Sequence, residues 1–403
     1  MIVHFEPASQ EGIASVVRSA AAERVSLAIV GGGTRSGLGN PVRADRTLST
    51  RRLSGIVTYN PAEMTMSALA GTPLAEVEAA LRAKAQTLSF EPMDHRPIFA
   101  TSGEPTIGGV FAANVSGPRR YVAGAARDSL LGIRFVNGYG QVIKAGGRVM
   151  KNVTGLDLVK LLAGSYGTLG ILTEVIFKVL PLPPAAATVV ISGLNDAEAA
   201  AVMAEAMAQP VEVSGAAHLP ESVRSRFIDG ALPDGAATVL RLEGLDASVA
   251  IRAEKLAATL SRFGPVSRLD AAATRTLWTE IRDVKPYADG TKRVLWRVSV
   301  APSVGHQLVA ALRLQTGVDA FYDWQGGLVW LRMEADPEAD LVRRYIGAMG
   351  GGHATLVRAG DEARARIPAF EPQAPAVAQL SERVRAKFDP SRIFNPGRMA
   401  AVV

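Results

Sequence analysis

An apolar run, Val25 to Val30, feeds directly into Gly31-Gly32-Gly33, and that junction constrains the fold more than any other stretch of the chain. Consecutive glycines carry a high entropic cost, and they suit places where the backbone must curl or come very close to something. A strand ending in such a loop can aim several N–H groups at one anion. Two familiar phosphate loops do not fit. In a G-x-G-x-x-G fingerprint Ser36 would stand at the third glycine, and no helix follows it. A P-loop needs a closing Lys–Ser/Thr pair, which is missing. A flexible hairpin also accounts for these three glycines taken alone.

Two later segments add to the signal. In Thr106-Ile107-Gly108-Gly109-Val110-Phe111-Ala112-Ala113-Asn114-Val115-Ser116-Gly117, two glycines open a short apolar helix whose N-terminus would face a phosphate. Gly164-Ser165-Tyr166-Gly167-Thr168-Leu169-Gly170-Ile171-Leu172-Thr173-Glu174 is a Gly-rich turn feeding an alternating strand. Each also reads as a plain packing turn. Their succession is far more informative than any one of them.

At 403 residues, 48% of them hydrophobic, the chain exceeds what one core normally needs, and two domains are expected. Ile13, Val16, Val17 and Ala20 recur at helical spacing after Ser9. Strands are expected at 56–59 and 64–70 around Asn60-Pro61, followed by a helix with Thr72 as N-cap and Pro73 at its first position. Residues 90–128, dense in Pro, Gly, Asp, Asn and Ser, read as a long binding loop around a short helix at 108–114. Strands at 131–137, 141–145 and 171–179 and a helix at 157–163 complete this part. Residues 181–187 read as a linker. Beyond it, strands at 188–192, 238–243, 295–300 and 328–333 alternate with Ala-rich helices at 196–207, 248–263, 303–314 and 337–349, an α+β layer with helices on one face of a sheet. No internal repeat is evident beyond this rhythm.

Taken together, the three Gly-rich segments resemble the FAD-binding domain of the vanillyl-alcohol oxidase/p-cresol methylhydroxylase (PCMH) flavoproteins. That superfamily threads a G-G-G-T loop, a T-I-G-G-x-x-x-x-N-x-x-G segment and a G-T-L-G-I-[IL]-T turn around one FAD. Four further stretches are similar to the GlcE-type subunits of glycolate oxidase: Ser116 to Arg120, Lys151 to Leu158, Gly351 to Leu356 and Phe394 to Met399. The resemblance spans most of the chain and is strongest before residue 182. It implies an α+β fold: a two-part FAD-binding domain of the PCMH type at 1–182, an α+β cap at 183–345, and a segment at 346–403 returning to the FAD domain. Gly31, Gly32, Gly33, Thr34, Arg35 and Ser36 would hold the FAD pyrophosphate. The stretch from Asp94 to Thr106, with Gly108, Gly109, Asn114 and Ser116, would line the isoalloxazine and phosphate side. Gly167, Thr168, Gly170 and Ile171 would meet the adenine end. Asp128 would anchor its loop, a cap or salt bridge being the plainer reading.

The same resemblance implies flavin-dependent oxidation of a small 2-hydroxy acid such as glycolate, within a dehydrogenase complex that also holds a metal-bearing FAD subunit and an iron–sulfur subunit. A self-sufficient dehydrogenase or oxidase of another hydroxy acid or alcohol is the alternative, as is a noncatalytic flavin-binding scaffold. Thr34 and Arg35 stand where some relatives carry a flavin-attaching His, and the chain has no Cys, so noncovalent FAD is expected. The five His (His4, His95, His218, His306, His353) show no metal-ligand spacing, and no metal is expected. His353 would act as base or orient a carboxylate, unless it is a loop His bonded to backbone. Arg297 and Arg332, with Arg358, are candidates for bidentate carboxylate binding, although an Arg on an alternating strand often faces solvent. Trp324, Trp330 and Tyr322 would roof the flavin or simply pack the cap.

The net charge of +6 suits a phosphate-bearing cofactor or a carboxylate substrate, and the scattered Lys and Arg argue against nucleic acid as a partner. The start of the sequence shows no signal peptide, and the apolar stretch 175–194 is interrupted by Lys178, Pro181, Pro183 and Pro184. A cytoplasmic protein is expected, peripheral at the inner membrane at most, through partners.

Overall fold

A computed structural model describes residues 3–147 and 155–400 of the chain. Lys151 to Thr154, part of one motif quoted above, lie outside the described residues. The first helix, Gln10–Glu23, is capped by Ser9, whose Oγ accepts from the Gly12 amide at 3.0 Å, and it buries Ile13, Val17 and Ala20. Strands Val3–Phe5, Arg46–Ser49 and Leu27–Val30 form a small parallel sheet in that spatial order. A five-stranded antiparallel sheet follows, ordered Ile56–Asn60, Thr65–Leu69, Ile171–Lys178, Leu130–Val136, Val142–Gly146.

One expected cap is displaced. The helix Leu74–Arg82 starts after Pro73, while the Thr72 hydroxyl donates to the Leu69 carbonyl at 2.6 Å and accepts from the Gly55 amide at 2.9 Å. Thr72 therefore pins two turns together instead of capping the helix.

The C-terminal segment is sewn into the parallel sheet. The Leu27 amide donates to the Ile393 carbonyl at 2.7 Å, and the Asn395 amide donates to the Leu27 carbonyl at 2.9 Å. The Asn395 side chain continues the seam, accepting from the Ile29 amide at 2.8 Å and donating to the Tyr166 carbonyl at 2.7 Å. Asp389 accepts from the Ile393 and Phe394 amides, which fixes the turn that presents Asn395.

Residues 185–358 build one antiparallel eight-stranded sheet, ordered Val266–Leu269, Ala185–Ser192, Ala237–Gly244, Val213–Leu219, Val318–Asp323, Leu328–Met333, Leu295–Ser299, His353–Arg358. The first strand begins inside the stretch read as a linker, because Ala185 already pairs with Gly244. The sheet also runs past residue 345, since His353–Arg358 pairs with Leu295–Ser299. Its connectivity contains a repeat that the sequence reading missed. Strand, helix (Asp196–Ala208), strand, strand, helix (Asp246–Leu260), strand is followed by the same succession around helices Gly305–Arg313 and Ala339–Ala348. Each half is thus a βαββαβ unit. The two join edge to edge where His218 pairs with Tyr322. At that seam the Asp196 carboxylate accepts from the Tyr322 hydroxyl at 2.6 Å and from Arg313 at 2.7 Å. Burial raises the Asp196 pKa, but the His218 and Tyr322 hydrogen bonds and Arg313 more than reverse this and hold it at about 2.

Side-chain alternation divides the sheet's labour. Trp296, Val298, Val329, Leu331, Ala354 and Leu356 pack beneath the helices. Leu295, Phe321, Leu328, Trp330 and Val357 face the other way and join the core that includes Phe90 and Phe111. That second face is closed by the N-terminal part of the chain together with helix Ala271–Arg282, whose Leu277, Trp278 and Ile281 join the same core.

Phe394, fully buried against Leu27, Ile13 and Val17, carries the C-terminal seam. Replacing it with Ala should cost about 3–5 kcal/mol of stability, read as a lowered urea midpoint.

Candidate functional site

Two cavities adjoin each other, the first between the N-terminal part and the C-terminal segment, the second between the N-terminal part and the eight-stranded sheet. The first encloses about 840 Å³ and is bounded by Gly31 to Ser36, Thr106, Gly108, Gly109, Gly167, Gly170 and Ile171. The second encloses about 1240 Å³ between residues 113–120 and the cap sheet. Ala113 and Tyr166 line both, so the two form one continuous cleft.

The first cavity has an anion-binding wall. Among the described residues, the amides of Gly32, Gly33, Thr34 and Arg35 have no protein acceptor. A Cβ on Gly32 would lie 1.6 Å from the Glu104 carbonyl oxygen, so only glycine lets the two loops meet there. Gly33 has φ +78° and nothing within 4 Å of where its Cβ would stand. Consecutive free amides around a left-handed residue form a nest for an anion. Arg35 adds a cation that is incompletely satisfied: its Nε is buried with no hydrogen-bond partner, and burial lowers its pKa to about 10 against the pull of Asp94. Arg398 holds its loop by donating to the Ser36 and Leu38 carbonyls, and burial lowers its pKa to about 10 as well. The cleft thus offers amides and two guanidiniums with no contacting carboxylate, which fits a pyrophosphate.

The second Gly-rich segment does something different from what its sequence suggests. The Ile107, Gly108 and Gly109 amides donate to the Thr72 carbonyl, the Ala70 carbonyl and Thr106 Oγ1. These N–H groups are used internally, so this six-residue helix lends cavity wall and no free donors. Thr168 lies outside the cavity lining, its hydroxyl donating to the Ser165 carbonyl at 2.7 Å. Asp94 also lies outside it: its carboxylate is forked onto Arg96. Asp128 accepts from the Ala125 amide at 2.8 Å and closes its own turn.

In the second cavity the alternation of the cap sheet brings Arg297, Ser299, Leu328, Trp330, His353 and Thr355 to one wall, with Asn114 and Ser116 opposite. Arg297 and Arg120 each place their guanidinium carbon 4.9 Å from the ring centroid of Trp324. Neither makes a salt bridge or hydrogen bond among the described residues. Burial, then Arg120, lowers the Arg297 pKa to about 10. The His353 pKa is lowered by burial first and by Arg297 second, which keeps the imidazole neutral at neutral pH. His95, beneath them, is stacked on Phe99 and held at a pKa of about 3 by burial and by Arg35.

Other expected residues sit elsewhere. Arg332 shares the face of Trp330 but lies one step beyond the cavity, bonded to Asp289 at 3.1 Å and Asp319 at 3.0 Å over the Tyr287 ring. Its charge is already neutralised, so it is unavailable to a substrate. Arg358 donates to the Tyr287 and Arg293 carbonyls. Tyr322 points into the helix-covered core. The sequence reading passed over Arg120, Tyr166, Asp323, Asn395 and Arg398 as site residues. The repeated Arg119-Arg120 and the Asn395-to-Arg398 stretch stood within quoted motifs and were the available signal. Among the described residues, no group of three or more His, Asp or Glu side chains converges as metal ligands would. No helix among them is long and apolar enough to cross a membrane.

Comparison with known proteins agrees with this geometry. A family model described as an FAD binding domain matches residues 2–146. Glycolate oxidase subunit GlcE of Escherichia coli (strain K12) is 34% identical over 391 residues, covering 96% of this chain and 95% of that protein. D-2-hydroxyglutarate dehydrogenase of Xanthomonas citri pv. viticola is 36% identical over 181 residues, 44% of this chain and 36% of that protein. Substrate-bound p-cresol methylhydroxylase superposes with a TM-score of 0.70 at 14% identity, covering 99% of this chain and 88% of that one, which establishes the PCMH-type fold.

Arg35→Ala should weaken FAD binding about ten- to a hundredfold, the worth of a charge-assisted contact of about 1.5–3 kcal/mol. The apoprotein should keep or gain thermal stability, since an incompletely satisfied buried cation is removed. Fluorescence titration with FAD and a melting curve check both.

Proposed function

We propose that this chain, which belongs to the GlcE family of glycolate oxidase subunits, is an FAD-dependent oxidoreductase of small 2-hydroxy acids that holds its flavin noncovalently and hands electrons to a partner subunit. The observation that carries the reading is the second cavity, where the Arg120 and Arg297 guanidiniums contact no anion among the described residues and line the same wall region as the neutral His353. A flavin lying along the cleft supplies a hydride acceptor.

The chain's own residues supply the rest. The Gly32 to Arg35 amides, with Arg35 and Arg398, hold the pyrophosphate, and Asn395 keeps that wall in register. Arg297 receives the substrate carboxylate and orients the carbinol carbon. His353 takes the hydroxyl proton as hydride leaves the same carbon. Trp324, Trp330 and Leu328 limit the water around these groups. The chain has no cysteine to ligate an iron–sulfur cluster, so onward transfer falls to partners. A metal-bearing flavin subunit and an iron–sulfur subunit of a glycolate dehydrogenase complex fit that role, and they would also provide any attachment to the inner membrane.

The purified chain should be yellow, release all its flavin into the supernatant on acid precipitation, and bleach with glycolate or a related 2-hydroxy acid without oxygen. A colourless protein that fails to take up FAD defeats the reading. His353→Ala should slow flavin reduction about a hundredfold or more. Because His353 must be deprotonated to act, the wild-type rate should fall as pH drops through a value below the ordinary 6.5. Arg297→Gln removes a cation that helps depress that pKa, and it should move the acid limb of a stopped-flow pH profile upward.

A further inference from the structure

Arg120 is a cation of the second cavity to which the chemistry above gives no task. The short segment that carries it is gripped from two sides. Trp324 Nε1 donates to the Gly117 carbonyl at 3.0 Å, and the Arg120 guanidinium stacks on the same indole. On the other side the Gly117 amide donates to the Phe90 carbonyl at 2.8 Å, and the Arg119 amide donates to Glu91 at 3.0 Å. Glu91 is in turn forked onto Arg241 of the cap at 2.8 and 3.1 Å. A Cβ on Gly117 would lie 2.3 Å from the Glu91 carbonyl oxygen, an approach that only glycine tolerates.

This grip separates two neighbouring arginines. Arg119 lies 3.7 Å from Glu243, whereas Arg120 lines the cavity with no hydrogen bond or salt bridge among the described residues. Asp323 is the one acidic residue among the described ones that line this cavity. It is 2% exposed, its carboxylate accepts only from the Trp324 amide at 2.7 Å, and it makes no salt bridge to either arginine. Burial lifts its pKa to about 7, so near neutrality it offers the cations less than a full negative charge.

Arg297, on strand Leu295–Ser299, and Arg120, beside Gly117, come to Trp324 from different parts of the chain. Each guanidinium carbon is 4.9 Å from the ring centroid, so the two are at most twice that distance apart. One monocarboxylate neutralises one cation and leaves the other without an anion, which is costly in a buried site. In a four- or five-carbon diacid the carboxyl carbons stand about 4–5 Å apart. That separation lets one guanidinium at each end make its own charge-assisted contact. Pro118, Leu328 and Trp330 give the same cavity apolar surface for the methylenes between.

We propose that Arg120 is a specificity-determining residue that takes a second, distal carboxylate, and that the preferred substrates are four- or five-carbon 2-hydroxy dicarboxylic acids. The inference rests on the oxidation proposed above and leaves its chemistry unchanged. Arg297 holds the carboxylate next to the reacting carbon. That carbon gives its hydride to the flavin and its hydroxyl proton to His353, and the product is the 2-oxo diacid.

The test follows anaerobic flavin reduction in the FAD-loaded chain by malate and 2-hydroxyglutarate. The controls are 2-hydroxybutyrate and 2-hydroxyvalerate, which match them in length but lack the second carboxylate. Wild type should favour the diacid of at least one pair by about tenfold or more in kcat/KM, and Arg120→Gln should lose that preference. A wild type that favours neither diacid overturns the proposal, even if the variant does not fold. So does an Arg120→Gln protein with an unchanged ratio, because equal losses on both acids assign the guanidinium to the flavin or to the shared carboxylate. If no hydroxy acid bleaches the flavin, the oxidation reading fails, and calorimetry with succinate and glutarate against butyrate and valerate decides the rest. Tighter diacid binding that is lost in Arg120→Gln then upholds the role of Arg120, and equal binding of diacid and monoacid overturns it.

Discussion

Four guanidinium groups line one continuous cleft with no carboxylate in contact: Arg35 and Arg398 at one end, Arg120 and Arg297 at the other. Burial lowers the pKa of all four. Elsewhere the chain neutralises its buried arginines. Arg241 has Glu91 and Glu243, and Arg332 has Asp289 and Asp319. The uncompensated set in the cleft is costly unless anions arrive. The fold around it makes sense as the means of keeping two anionic ligands, one large and one small, in line with each other.

Tyr166 is the joint between those ligands. It lines both cavities, adopts a left-handed backbone at φ 53°, and has its carbonyl held by Asn395 and its amide bonded to the Ala112 carbonyl. Its ring rests against Phe370 at 5.1 Å. The C-terminal segment therefore positions the boundary between the two cavities, although hundreds of residues separate it from the loops it braces.

Much of this architecture is legible in the sequence, because glycine spacing and strand alternation are local signals. Gly31 to Ser36 read as an anion loop, and among the described residues the Gly32 to Arg35 amides are left without protein acceptors. The failures are informative in physical terms. Gly108 and Gly109 carry the same local signature, yet their amides find acceptors in Ala70 and Thr106, and only tertiary contact decides that. Arg297 and Arg332 sit on neighbouring strands with the same facing, and what separates them is Asp289 and Asp319, contributed by other parts of the chain. The strand Val213–Leu219 escaped notice because all seven of its residues are buried, which erases the alternation that marks a strand. Asp323 carries no motif at all, and Arg120, although inside a quoted stretch, is distinguished from Arg119 only by tertiary contact: it stacks on Trp324, whereas Arg119 lies beside Glu243.

The duplicated cap has a lopsided consequence. Every cap-sheet residue at the second cavity comes from the second βαββαβ unit, through Arg297, Ser299, Asp323, Leu328, Trp330, His353, Thr355 and Val357. The first unit contributes none, although it has the same topology and the same helix cover. One copy lines the cleft and its twin does not. Sequence drift should therefore meet different limits in the two halves: the inner face of 185–269 must keep its packing and the Arg241 ion pairs with Glu91 and Glu243, whereas the matching face of 295–358 must also preserve the shape and charge of the second cavity.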